Sequence, residues 1–371
     1  MSHFSVLVIG PDPEGQLAPY HEFECTGRVD EYVKSVDQLE EARTAYAKAT
    51  STFYRGPDGA LVDAYDDRFY REPTPEETAK IGPMMGTGCG HGLSWHSKDW
   101  GDGLGYRGKI NFLPEGWVEA EVPRRETETF AQYVEDYYGR KRVPAVHEPD
   151  LHGEHKYGWY RTDAAGEVIE LVDRTNPNAQ WDWYEVGGRW TGFFTLKPGA
   201  PGKTGRPGLM TAPAEPGTAD VTLKGGVDFE AMRDKAGDRV GRLWDRVRAI
   251  APDPWETWES VRARLTEIKA ARAFYHDQPG VKALRESKDP ELLWDLDELV
   301  QPREACVAAA RDAAVVPYAL VRDGVWIAKG KVGWWGCSDD QVDQAAWNRQ
   351  VNEALDALPD DTLLTIVDCH I

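Results

Sequence analysis

Asp368 and His370 stand two residues apart in the closing run Asp368-Cys369-His370-Ile371. On a strand these two side chains share a face with Leu364 and Ile366, because alternate residues line one side of a sheet. A carboxylate beside an imidazole fixes its tautomer and raises its basicity, which suits a general base or a metal ligand. Asp368 and His370 are therefore the candidate catalytic residues. His3 opens the first apolar run and joins them if the two terminal strands run antiparallel. The plainer alternative is a hydrogen-bonded pair that finishes a strand at the surface. Cys369 faces the other way with no histidine beside it, which makes it a core residue and not a nucleophile.

Three stretches place Trp, Gly and ionisable residues together: Ser94–Arg107, Trp181–Trp190, and Gly333-Trp334-Trp335-Gly336-Cys337. Trp offers a wide apolar face for a planar ring and one N–H donor. Glycines let backbone amides approach an anion, and Lys98, Arg107 or Arg189 could hold a phosphate or carboxylate. The candidate ligand-binding residues are Trp95, Lys98, Asp99, Arg107, Trp183, Arg189 and Trp335. The structural alternative is that these Trp residues wedge between irregular loops, with Gly at tight turns.

Other motifs fail on spacing. Gly202-Lys203-Thr204 has Lys197 where a phosphate-binding loop needs Gly, and the prolines that follow forbid a helix. Gly86-Thr-Gly88-Cys-Gly90-His-Gly92 is not the dinucleotide fingerprint. His147, His152 and His155 lie among Glu148, Asp150 and Glu154, but Pro149 and Gly153 break any helical ligand spacing; an exposed acidic loop is the expectation. No metal is assigned, and the cofactor is unknown.

The elements that must position these residues follow from pattern. Phe4–Ile9 and Thr362–Asp368 read as buried strands of one sheet. A helix is expected between about 37 and 49. Thr74-Pro75-Glu76-Glu77 starts another, with a capping box and Pro at its first position. Phe130, Tyr133, Val134 and Tyr137 mark one face of a short helix. Several strands separated by turns occupy 157–196, whereas 197–220 holds ten Pro or Gly with no apolar period. Helical stripes follow in 228–314, restarted at Asp253-Pro254 and Asp289-Pro290. Asp323-Gly324 joins a hairpin, and Ser338-Asp-Asp-Gln341 reads as a capping box for the last helix. The expected fold is α+β, a mixed and largely antiparallel sheet containing both terminal strands, with an inserted helical subdomain. The expected organisation is a main domain of 1–196 and 315–371, a Pro/Gly-rich loop or linker at 197–227, and a helical insert at 228–314.

Composition sets the boundaries. With 371 residues, 41% hydrophobic and 29% charged, the chain can fold around a sizeable core. A net charge of −20, from 63 acids against 43 bases, repels the nucleic-acid backbone, and no long basic stripe offsets it. The acids are interleaved with bases and aromatics, which favours solubility over mimicry of a nucleic acid. Five scattered cysteines form no Cys-x-x-Cys pair and argue against a disulfide framework or zinc ribbon. The opening residues carry no basic leader, and no stretch approaches a membrane span in length. A cytoplasmic location with no membrane partner is the expectation.

The opening Met-Ser-His-Phe-Ser-Val-Leu-Val-Ile-Gly, the Trp-Asp-Trp-Tyr…Gly-Gly-Arg-Trp segment and the closing Thr-Leu-Leu-Thr-Ile-Val-Asp-Cys-His-Ile resemble a family of proteins from tailed bacteriophages and prophages. The resemblance implies a phage-associated setting in the bacterial cytoplasm and carries no catalytic residues. Two functions fit the residues. One is a protein, enzyme or not, that binds a small nucleotide-like molecule in a Trp/Gly/Arg site. The alternative is a non-enzymatic acidic protein that binds and inhibits a host defence protein. A virion component ranks last, since nothing is fibrous or repetitive.

Overall fold

The computed structural model describes residues 2–22, 31–76, 110–209, 211–287, 289–292, 296–332 and 338–371. The chain is α+β and divides into two compact units, 34–175 and the remainder. This division differs from the expected one, because among the described residues the strands of 34–175 pair only with each other.

The larger unit is built on strands β1 (His3–Ile9), β2 (Trp183–Gly188), β3 (Val221–Leu223), β4 (Ala319–Arg322), β5 (Val325–Ala328) and β6 (Leu363–His370). Strands β1 and β6 lie side by side and antiparallel, with His3 opposite His370 and Ile9 opposite Leu364. On its other edge, β6 is shared: β3 pairs with its first half and β2 with its second, both antiparallel. β4 joins β1 in parallel and turns back into β5 through Asp323-Gly324. Both turn residues have positive φ, 52° and 73°, the geometry that a two-residue hairpin demands. The sheet is thus mixed, largely antiparallel, and contains both terminal strands.

Alternation sends β1 and β6 into two cores. Phe4, Val6, Val8, Val367 and Cys369 pack with Leu17, Trp181 and Val321 on one face. Leu7, Ile9, Leu364 and Ile366 pack on the other against Trp347, Val351 and Leu355. Those three belong to the helix Gln344–Asp356. That helix starts later than expected. Its N-cap is Asp343, whose carboxylate accepts from Ala346 N, while Ser338–Asp340 is a strand paired with Gly330–Val332.

The Pro/Gly-rich stretch expected as a loop or linker is stitched into this unit. Gly202–Lys203 pairs with β3, and Arg206–Pro207 runs parallel to the end of β2. Its anchor is Asp220, fully buried, which accepts from Gly192 N at 2.6 Å, Gly205 N at 2.7 Å, Thr191 Oγ1 at 3.0 Å and Phe193 N at 3.2 Å. A buried carboxylate is stable only with such donors.

From Phe229 to Ala313 the chain is mostly helical. Gly237 and Gly241 on the helix Phe229–Ile250 let the helix Arg303–Ala313 approach closely: added Cβ atoms would stand 3.0 Å from Arg311 Cγ and 2.7 Å from an Arg303 guanidinium nitrogen. The second stripe does not restart at Asp253. Thr257 caps Trp258–Arg264 instead, because Trp255 enters the core and donates from Nε1 to Asp297 at 2.9 Å. Pro290 opens a 3-10 turn, Pro290–Leu292, and the residues that follow it, 293–295, lie outside the described ones.

In 34–175, the sheet order is Lys34–Asp37, Val168–Thr175, Gly158–Thr162, Lys141–Arg142. The helices Leu39–Lys48 and Phe130–Tyr138 contribute Ala42 and Val134 to a core with Tyr160 and Leu171. The latter helix carries a full capping box, Thr129 with Gln132, and stops at Gly139 in the left-handed region. The expected acidic histidine loop is only partly exposed: His155 is buried, with Nδ1 accepting from Asp150 N at 3.0 Å. The Thr74–Glu77 helix start extends beyond the described residues.

Candidate functional site

At one end of β6 the apolar face turns polar. Leu364 and Ile366 lie under the Gln344–Asp356 helix, and the next residues on that face are Asp368 and His370. Register adds His3 and Ser5 from β1 on one side and Trp183 and Glu185 from β2 on the other. His3 therefore does join the candidate pair, as the antiparallel condition required.

The partnerships are crossed. His3 Nδ1 is 2.9 Å from Asp368 Oδ1, and His370 Nδ1 is 2.7 and 2.9 Å from the two carboxylate oxygens of Asp182. Asp368 thus orients His3, not its strand neighbour. His3 stands directly opposite His370, so its contact with Asp368 is the diagonal one across the two strands, where residues about 7–8 Å apart are still within reach of a ring side chain. Asp182 reaches His370 because it precedes β2, its N–H bonded to the His370 carbonyl at 2.8 Å.

Both carboxylates are held from behind. Asp368 Oδ2 accepts from Arg189 N at 2.9 Å, and Asp182 Oδ1 accepts from Trp183 N at 2.7 Å. A carboxylate only accepts, so each Nδ1 carries a proton and each Nε2 is the ring atom left to take up or give up one. Neither Nε2 has a partner among the described residues. The rings stand 5.0 Å apart at 75°, with side-chain exposures of 14% for His3 and 4% for His370. Trp183 stacks on His370 at 5.0 Å and 16° and meets His3 edge-on at 5.2 Å; it is 43% exposed.

The Gly187-Gly188 turn makes this possible. Both residues have positive φ, 80° and 54°, and a Cβ on Gly188 would lie 2.3 Å from that of Asp368. The turn can therefore press its Arg189 amide onto the carboxylate. The Arg189 side chain is exposed and has no ion-pair partner among the described residues. A cleft of about 450 Å³ is lined by Thr191 and Gly192 of the same turn with Met232, Lys235 and Arg239. None of the four His and Asp residues lines it, so the chemistry and the cleft are separate features.

Among the sequence candidates, Asp368, His370, Trp183 and the Arg189 backbone converge. Trp95, Lys98, Asp99, Arg107 and Trp335 lie outside the described residues. Trp181 is structural, as the alternative for its stretch held: it is buried, and its Nε1 donates to Leu17 O at 3.1 Å. Asp182 and His21 were missed. His21 packs on Trp181 at 4.5 Å with the rings tilted by 33° and donates from Nε2 to Asp182 O at 2.8 Å, a link between chain segments with no local signal.

Cys369 is fully buried, and burial pushes its thiol well above the ordinary range, with Asp368 and Asp182 adding to the effect. It is a core residue. N-ethylmaleimide at pH 8 is expected to leave Cys369 unmodified in the folded protein and to label it in urea. Peptide mass spectrometry reads both states, and labelling of the folded protein would refute the assignment.

Among the described residues no group of three or more His, Cys, Asp or Glu is arranged to hold a metal ion, and no helix is long and apolar enough to cross a membrane. No protein-family model, curated protein or solved structure matches the chain.

Proposed function

We propose that the His3–Asp368 and His370–Asp182 pairs form an acid–base site that binds and processes a small nucleotide-like molecule, in a phage-associated accessory protein of the bacterial cytoplasm. The carrying observation is the juxtaposition of two imidazoles 5.0 Å apart, each tied at Nδ1 to its own carboxylate. One such pair is a common way to end a strand. Two pairs, drawn from β1, β6 and the residue before β2, with an exposed Trp against both rings, are hard to justify by stability alone, since buried ionisable pairs contribute little net stability.

Trp183 supplies the ring surface, and Arg189 supplies a cation with no internal partner among the described residues in a chain of net charge −20. The setting is supported by the resemblance of the opening, Trp-Asp-Trp-Tyr and closing segments to phage proteins.

Calorimetric titration with a panel of mono- and dinucleotides tests the reading. Saturable binding is expected, weakened about tenfold or more in Arg189→Ala and Trp183→Ala, each such contact being worth about 1–3 kcal/mol. Absence of binding by every nucleotide, with a stable salt-sensitive complex recovered from host lysate, would replace it with the acidic host-protein binder.

A further inference from the structure

We infer that the two imidazoles act as general base and general acid on a phosphodiester, an inference that rests on the acid–base site above and assigns its substrate class. Acyl transfer needs one imidazole, which takes a proton from the nucleophile and returns it to a leaving group on the same carbon. Displacement at phosphorus is in line, so the entering and leaving oxygens lie on opposite sides of the transferred group. Two separate proton-handling groups suit that geometry.

His3 and His370 are two such groups. Their rings touch nearly perpendicularly, at 75°, and each has its own carboxylate, so neither must share a proton with the other. Their Nε2 atoms are the ones without a partner among the described residues. Trp183 lies against both rings and offers a face to a base or sugar attached to the phosphate. Arg189, whose own backbone amide holds Asp368, brings positive charge for the phosphate oxygens.

In the step, water attacks phosphorus and gives its proton to one Nε2. The bond from phosphorus to the leaving oxygen breaks, and the other Nε2, protonated at the start, gives that oxygen its proton. One ring ends protonated and the other neutral, and proton exchange with solvent restores both. No electron transfer is involved.

The experiment uses the full chain and two probes: the 2′,3′-cyclic phosphate of adenosine and bis(p-nitrophenyl) phosphate. The p-nitrophenolate departs as a stabilised anion and does not need an acid. Turnover of both probes is expected. Of His3→Gln and His370→Gln, the one that removes the base loses about 10²–10⁴-fold on both probes. The one that removes the acid loses as much on the cyclic nucleotide and far less on the p-nitrophenyl ester.

Asp182→Asn keeps the side-chain volume and must reproduce the leaving-group pattern of His370→Gln, which guards against misfolding of either variant. Equal losses on both probes for both histidine variants would overturn the division of roles. Nucleotide binding without turnover of either probe would overturn this inference and leave the binding site intact. Neither binding nor turnover would remove both.

Discussion

Replacing Asp220 with Ala is expected to destabilise the larger unit by about 3–5 kcal/mol, the range for stripping a buried charged acceptor from its donors. The carboxylate is fully buried and accepts from three backbone amides and one hydroxyl. Alanine leaves the amides of Gly192, Phe193 and Gly205 without this acceptor. Asn should recover only part of the loss. Oδ1 takes the Gly192 and Phe193 amides and Oδ2 takes Gly205 N, so any placement of the amide NH₂ faces at least one N–H. The Thr191 hydroxyl can rotate to accept, but a backbone amide cannot. Urea unfolding followed by tryptophan fluorescence measures this as a lower midpoint at an unchanged slope. A loss within about 1 kcal/mol of the native protein would mean that Asp220 does not hold the turn.

The same carboxylate explains why the 197–220 segment was opaque in sequence. Ten Pro or Gly and no apolar period describe a loop correctly as composition, yet the order comes from a polar anchor at its end, which periodicity does not detect. The two terminal strands were legible: apolar runs at both ends gave them, and parity on the last one placed Asp368 and His370 with Leu364 and Ile366. The partners of those residues were not, because they depend on register between segments more than 180 residues apart. Asp182 looked like any acid in a Trp-rich stretch until β2 was laid beside β6. Trp181 and Trp183 share parity but not fate, since Trp181 precedes the strand and is drawn into the core by Leu17 and Tyr184. Helix starts slipped for a local reason: Asp343 and Thr257 accept from the first-turn amides, and the acidic or Pro-containing signals upstream of them went to other uses.

Asp368→Asn is expected to abolish proton transfer at His3 while keeping the fold. In the native site, Oδ1 takes the His3 Nδ1–H and Oδ2 takes the Arg189 amide, both as acceptors. An asparagine has one acceptor and one donor. The Arg189 amide cannot reverse its polarity, so the Asn oxygen must face it and the NH₂ must face His3 Nδ1. The imidazole can answer by moving its proton to Nε2, which satisfies every bond and removes the lone pair that would accept a proton. The cost in stability is about 1–2 kcal/mol, from the loss of charge-assisted bonds. The cost in rate is of order 10³–10⁴-fold, the scale of a wrongly fixed tautomer beside a reacting group. The two effects separate cleanly because side-chain volume is preserved around a residue that is only 1% exposed. Nitrogen-15 shifts of the His3 ring report the tautomer without any substrate, as a swap of the protonated and unprotonated signals between Nδ1 and Nε2. An unchanged ring spectrum in a folded Asp368→Asn protein would show that this carboxylate does not set the tautomer. His3 would then be a passenger at the end of its strand and not half of an acid–base pair.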